Sequence, residues 1–386
     1  MPIVLEREQT LAAPNRYDDS RRHILYLIDV LWGLGGAEQA LLRTAQLLPT
    51  DRYRLTVGTF RLRPGLAMKS GFGCPVIEFP LGRVTGSSVL KTAARLAQFV
   101  RRERVDLVHT FFETSDLLGG LVAKLSGRPV ISSRRDMGFL RTRRSQYGYR
   151  LLGFLFDEVH TVSEAVRQEM ISRDRLDPKR VVTIPNGIPF GPAPVRVPRE
   201  GSSPVVLSVG NIRGIKGTDV LIRTAQRVVA QNPDVRFWIA GSDHDERYAR
   251  EMRALVTELG LARHVRFLGK VEDITPLLDA ADVFCLLSRS EGMSNALLEA
   301  MAAAVPCVAT AVGGTPEVLT GELSTLLVPS GDADLAALKI LQLLSNPAQA
   351  QRLGRVARAR VEENFTARRM VQNLAVRYGQ LLALKK

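Results

Sequence analysis

The chain has 386 residues, 45% of them hydrophobic, which is enough to bury two cores of ordinary size. No apolar run reaches the ~18–20 residues of a membrane span, and residues 1–21 lack the apolar stretch of a secretory signal. Cys74, Cys285 and Cys307 stand apart in apolar contexts without metal-ligand spacing, as expected of reduced, buried thiols in a cytosolic protein. The net charge of +14 sits mainly in residues 1–200, where 31 Lys and Arg face 20 Asp and Glu. That asymmetry favours an anionic partner (nucleic acid, an acidic membrane surface or a phosphorylated substrate), with plain solubility as the alternative.

In chain order, residues 1–21 read as a disordered tail. Residues 23–30 form the continuous apolar run of a buried parallel strand, and a glycine turn leads into a helix over 37–48. Short strands are expected at 54–60, 76–79, 107–110, 130–133 and 159–162, with helices at 89–104 and 115–125 among them. Residues 186–203, rich in Pro and Gly, read as an interdomain linker. A second series follows, with strands at 205–209, 235–240, 265–268, 283–287, 306–310 and 324–328 and helices including 219–231, 246–259 and 332–344. A last amphipathic helix covers about 367–384. The alternation predicts an α/β protein of two Rossmann-like doubly wound parallel-sheet domains, 22–185 and 204–365, with residues 366–386 as a terminal helix. A ligand is expected in the cleft between the carboxyl ends of the two sets of strands.

The run from Ser290 to Met301 places Glu291 and Glu299 eight residues apart around a loop that becomes a helix. Its first half (Gly292, Ser294, Asn295) suits exposed backbone N–H groups at a helix start, where an anion is favoured. A fully helical step of eight residues spans roughly 12 Å, about the length separating the hexose of a nucleotide sugar from its ribose. Gly33-Leu-Gly-Gly-Ala-Glu38 fails as a dinucleotide fingerprint, because Glu38 occupies the third glycine position and no acid closes the second strand. In the second series, a glycine-rich turn brings Arg213 and Lys216 to the start of a helix, suiting a diphosphate leaving group. The densest basic stretch, 129–150, holds Arg134, Arg135, Arg141, Arg143, Arg144 and Arg150 among aromatic residues and suits an anionic acceptor or an anionic membrane surface. The triplets Asp243-His244-Asp245 and Asp332-Ala333-Asp334 precede expected helices, where acids are ordinary caps, so no metal site is assigned to them.

These segments resemble the retaining family-four glycosyltransferases (glycosyl transferases group 1). Two glutamates separated by seven residues and followed by Ala-Met-Ala are matched by Glu291, Glu299 and Ala300-Met301-Ala302. Gly-Gly-Ala-Glu after the first strand and the segment ending in Lys216-Gly217 match as well. The resemblance implies the GT-B architecture, with an acceptor domain first, a donor domain second and the last helix crossing back to the first domain. It places Glu291 on the donor hexose and Glu299 on its ribose, while Gly35, Gly36, Gly210, Asn211, Ser294, Asn295 and Leu297 line the donor site. Lys216 and Arg213 face the diphosphate, and the backbone near Val271 pairs with the base. Asn211 stands where the family usually has Arg, which leaves Arg213 to take that role. Residues 311–317 match a family turn near the donor pocket. On the acceptor side, Ser132-Ser133-Arg134-Arg135-Asp136 stands where many relatives have a histidine after the strand, so a histidine-based acceptor mechanism is not carried over and Arg134 and Arg135 suit an anionic acceptor. His109, at a strand end facing the cleft, is a candidate acceptor contact, with a structural histidine as the alternative.

The implied activity is transfer of a hexose-type sugar from a nucleotide diphosphate sugar, a UDP-sugar before a GDP-sugar, to a hydroxyl of a lipid-linked or polysaccharide acceptor. It implies retention of configuration, no metal or other cofactor, no nucleic acid partner, and a cytoplasmic site of action at the inner face of a membrane. A sugar-nucleotide epimerase or hydrolase on the same fold, a regulatory degenerate transferase and a basic nucleic-acid-binding module are the alternatives.

Overall fold

A computed structural model describes residues 20–31, 33, 35–63, 71–82, 87–138, 142–192 and 203–384. The expected tail (1–21, of which 20–21 are described) and most of the proline-rich linker (193–202) lie outside these residues. The first strand, β1 (Arg22–Leu31), is buried over Ile24–Ile28, as its unbroken apolar run requires of a central parallel strand. Around it lie β2 (Tyr53–Leu62), β3 (Val76–Glu78), β4 (Leu107–Phe111), β5 (Val130–Arg134), β6 (Glu158–Thr161) and β7 (Val181–Thr183), all parallel, in the order β3-β2-β1-β4-β5-β6-β7. The second sheet comprises β8 (Val205–Val209), β9 (Arg236–Ala240), β10 (Val265–Gly269), β11 (Val283–Leu286), β12 (Cys307–Thr310) and β13 (Leu327–Val328). Its order is β10-β9-β8-β11-β12-β13, again all parallel. Both sheets are doubly wound, with switch points between β1 and β4 and between β8 and β11, and they form the GT-B arrangement of two Rossmann-like units. Ligands of such sheets bind at those switch points.

The strand Val181–Thr183 and the helices Arg143–Leu152 and Glu164–Asp174 are not among the sequence expectations, and three further elements depart from them. The strand expected at 324–328 shrinks to Leu327–Val328, because a 3-10 turn occupies Gly321–Leu326, where the Ser324 and Thr325 hydroxyls donate to the carbonyls of Gly321 and Glu322. The helix expected at 115–125 divides into a π turn, Ser115–Gly119, and an α-helix, Gly120–Leu125. That turn aims Asp116 inward, where its carboxylate accepts from Thr110 Oγ1, Arg134 and the Tyr149 hydroxyl. The helix Pro347–Asn364, unmarked above, starts on an Asn346 cap with proline in its first turn.

The last helix, Ala367–Ala383, packs Met370, Val371, Leu374, Ala375, Tyr378 and Leu381 against the first sheet and the helix Gly36–Leu47. Polar contacts fix its register. The Tyr378 and Tyr26 hydroxyls bond to one another, Tyr378 bonds His109 Nδ1 at 2.7 Å, Tyr53 donates to the Ala375 carbonyl, and Arg377 grips Glu158. The chain crosses between the sheets twice, and the crossings lie side by side: Ile188 N–H donates to Phe365 O and Ala367 N–H to Ile188 O. A Cβ on Gly187 would stand 2.4 Å from the Thr366 carbonyl, so only glycine lets the two strands meet. Replacing Tyr378 by Phe leaves the buried Tyr26 hydroxyl and His109 Nδ1 without their partner. It is expected to cost about 1–3 kcal/mol, read as a lowered melting temperature.

Candidate active site

The loops leaving the two switch points face each other. From β8 the chain runs through the 3-10 turn Gly214–Lys216 to Gly217, whose φ of +66° and hypothetical Cβ, 2.0 Å from the Leu287 carbonyl, exclude any side chain. The turn thereby lies against the loop leaving β11 and delivers Lys216 to Glu291. Glu291 is 8% exposed, and its Oε1 accepts from Lys216 Nζ and Ser288 Oγ, each at 2.6 Å. Ser288, fully buried, is held in turn by Thr310 Oγ1 donating to its carbonyl. The turn 311–317 supports the same loop. Gly313, at φ +51°, would place a Cβ 1.7 Å from the Glu291 carbonyl, and Gly314 N–H donates toward the Gly292 carbonyl.

Glu291 therefore sits in a loop, and the helix Asn295–Ala302 begins four residues later on the Ser294 cap. Asn295 has both amide atoms buried with no hydrogen-bond partner, and Arg213 Nε is likewise buried and unpartnered. Buried polar atoms are rarely left so. Across the cleft, a Cβ on Gly36 would lie 3.6 Å from Asn295 Nδ2, and Gly35 leaves room for the Glu38 carboxylate to fold back over it. Two glycines thus keep the first-domain loop bare where it faces the orphaned amide. Gly210 borders the Lys216 side chain, Asn211 accepts from Ser242 Oγ, and Val271 lies half-buried just after β10.

Glu299 lies one turn along the helix from Asn295 and meets the first domain rather than open cleft. Its Oε1 accepts from Arg43 at 3.0 Å, while Arg43 also donates to the Gly187 carbonyl and to Gln39. Burial raises the pKa of Glu299 and lowers that of Arg43, so for each charge the loss of solvent outweighs the gain from its partner. Such a pair stabilises little, and a ligand hydroxyl at Glu299 costs less than it would against a well-compensated bridge. Arg135 is pushed down to about 10, by burial first and by Arg43 second. It donates to Asn186 Oδ1 and has no carboxylate at ion-pair distance among the described residues.

Other residues take different places from those the sequence suggests. His109 is 1% exposed, with Nδ1 on Tyr378 and Nε2 on Ser133 Oγ, so both ring nitrogens are already bonded, and it lines a small cavity beside Arg135 rather than standing open in the cleft. Arg134 is equally buried, paired with Asp116 and lying over the Tyr149 ring at 3.9 Å, and does not reach the cleft. Asp136 is exposed and closes a local turn by accepting from Gly138 N–H. Leu297 has its side chain in the core and its N–H on Ser294 Oγ, as the cap of its helix requires. The Asp-x-Asp carboxylates cap helices (Asp245, Asp332) or pair with Arg253 and Arg227 (Asp243, Asp334). Sequence reading passed over Arg43, Ser288 and Asn186. Only the last, in the Pro-Asn-Gly turn, carried any signal.

The two facing Rossmann-like sheets and their switch-point loops define a protein of the GT-B class. Residues 34–190 match the family described as Glycosyltransferase Family 4, and residues 203–346 match Glycosyl transferases group 1. Among curated relatives, a GDP-mannose-dependent monoacylated alpha-(1-6)-phosphatidylinositol monomannoside mannosyltransferase of Corynebacterium glutamicum is 27% identical over 300 residues, 71% of this chain and 76% of its own. A UDP-Gal:alpha-D-GlcNAc-diphosphoundecaprenol alpha-1,3-galactosyltransferase of Escherichia coli is 25% identical, covering 78% and 82%. Among solved structures, a glycosyltransferase from Rickettsia africae superposes with a TM-score of 0.82 at 18% identity (94% and 99% covered). Anabaena HepE, solved with UDP, gives 0.80 at 22% (92% and 99%). The chain belongs to the family-four glycosyltransferases.

The buried histidines make stability pH-dependent. Burial lowers the pKa of His23, His109 and His160 below the ordinary 6.5, so below that pH the unfolded chain binds more protons than the folded one. The melting temperature is expected to hold steady above about pH 6.5 and fall progressively below it. His109→Gln should melt lower at neutral pH but lose less on acidification, which a melting series over pH checks.

Proposed function

We propose that the protein transfers a hexose-type sugar from a nucleotide diphosphate sugar to a hydroxyl of a lipid-linked or glycan acceptor, with retention of configuration and without a metal. The observation that carries this reading is the cluster at the second switch point. A lysine-bound glutamate, an unpartnered arginine nitrogen and an unpartnered amide face a bare glycine loop on the opposite domain. Lys216 and Arg213 compensate the charge that grows on the diphosphate as the glycosidic bond breaks. Glu291, held by Lys216 and Ser288, has its second oxygen for the hexose hydroxyls, Glu299 takes the ribose, and the Asn295 amide meets the donor beside Gly36. In the proposed step, the acceptor oxygen bonds to the anomeric carbon on the face from which the diphosphate departs, and a phosphate oxygen accepts the acceptor's proton. Arg135, a desolvated cation with no carboxylate at ion-pair distance among the described residues, marks the acceptor side and suits an anionic group. The relatives' names include both GDP- and UDP-linked donors. A UDP-sugar is proposed first and a GDP-sugar second.

Lys216→Ala is expected to lower kcat/KM for transfer at least ~100-fold while the protein stays folded, since removal of one preorganised donor typically costs that much. Normal transfer by this variant overturns the assignment. Melting against a panel of nucleotide diphosphates and sugar nucleotides, with and without EDTA, is expected to rise with one nucleotide family regardless of chelator. A shift that EDTA abolishes overturns metal independence. Donor turnover without any acceptor points to a hydrolase or epimerase, and salt-sensitive oligonucleotide binding with no nucleotide shift points to a nucleic-acid module.

A further inference from the structure

One face of the first domain is built unlike the rest of the surface. The helices Ser87–Arg102, Gly120–Leu125 and Arg143–Leu152, with the turn Gly153–Leu155, cover the side of the first sheet opposite the last helix. They bury Leu96, Val100, Val122, Ala123, Tyr149 and Leu155 against the sheet. Their outward side is apolar as well. Among the described residues, six large apolar side chains are 67% or more exposed, and five of them lie in this layer: Leu90, Leu125, Tyr147, Leu151 and Phe154. Tyr147, Leu151 and Phe154 fall at i, i+4 and i+7 and so form one row. A cluster of this kind exceeds the scattered apolar residues expected on a free surface.

Charge tells what covers it. These segments carry eight Lys and Arg and no Asp or Glu. Lys124 pairs with Asp157 and Arg102 with Glu103, but Lys91, Arg95 and Arg101 are exposed and have no carboxylate at ion-pair distance among the described residues. Exposed Leu, Tyr and Phe set among unneutralised basic residues match the two terms of interfacial binding: apolar burial at the headgroup boundary and attraction to anionic headgroups within a Debye length of roughly 8 Å.

We infer that this helical layer is the surface by which the protein lies on an anionic lipid bilayer. The inference deepens the proposed lipid-linked acceptor and rests on that reading for its purpose. The helix Arg143–Leu152, roughly 15 Å long, starts eight residues after Arg135, so a headgroup anchored at the layer is within a short reach of the cleft edge.

The test is co-sedimentation of the full chain with vesicles of phosphatidylcholine alone or mixed with phosphatidylglycerol, across a salt series. Wild-type protein is expected to pellet with the mixed vesicles, weakly or not at all with phosphatidylcholine alone, and less as salt rises. The exposed double variant Leu151→Ser/Phe154→Ser and the charge variant Lys91→Glu/Arg95→Glu should each weaken vesicle binding ~10-fold or more. Their nucleotide-induced melting shift should equal that of wild type, which also shows that they fold. No binding to mixed vesicles, equal binding by the variants, or a wild-type dimer abolished by Leu151→Ser/Phe154→Ser overturns the inference, the last by assigning the face to a second copy. Loss of the nucleotide shift in wild type instead overturns the transferase reading and leaves the vesicle result to stand alone.

Discussion

Backbone laid on backbone, where the domains meet, is the constraint on which the site depends. A Cβ on Gly292 would stand 2.2 Å from the Arg135 carbonyl, and one on Gly314 would stand 2.2 Å from the Gly292 carbonyl and 2.7 Å from Ser163 Cβ. Glycine at both positions lets the Glu291 loop rest on the residue after β5 and the 311–317 turn rest on Ser163, the cap of the helix Glu164–Asp174 that follows β6. Polar contacts finish the seam. Asn186 donates to the Met293 carbonyl, and Glu317 accepts the N–H groups of Glu164 and Ala165 at 2.8 Å each, a carboxylate placed at the positive end of the opposite domain's helix.

Within that seam the polar groups are poorly compensated. Arg43 and Glu299 each lose more to burial than they regain, Arg135 has no carboxylate at ion-pair distance among the described residues, and Asn295 and Arg213 keep buried atoms unbonded. The Tyr26–Tyr378–His109 chain has its hydroxyls and both His109 ring nitrogens bonded, whereas the buried Arg134, though paired with Asp116, also keeps Nε and Nη2 unbonded. What sets the cleft groups apart is their place between the two domains, where an unsatisfied group recovers its hydrogen bonds when a polar ligand arrives.

The fold was legible because the strands are short apolar runs set off by turn residues, and a buried parallel sheet asks little more of its sequence. The donor site was legible in part, because Glu291, Lys216 and the glycine turns are contiguous motifs tied to loop geometry. What stayed hidden depends on contacts made across long separations. His109 and Arg134 sit at strand ends in sequence, yet a helix more than two hundred residues on and a π turn respectively enclose them. Arg43 reads as an ordinary helix-surface residue until Glu299, 256 positions away, is brought against it. The 3-10 turn before β13 escaped because local hydroxyl-to-carbonyl bonds outcompeted a β-compatible run.

The paired crossings at Ile188 and Thr366 have a mechanical consequence. A single tether lets two bodies swing and twist freely, whereas two strands bonded to each other at one place behave as a pin with a fixed direction. Separation of the sheets is then mainly rotation about that line, as with a door. Displacement grows with distance from it, so groups near the pin, such as Asn186, keep their partners while those at the far rim travel most. A substrate entering from the rim therefore meets a widening mouth over a floor that hardly moves.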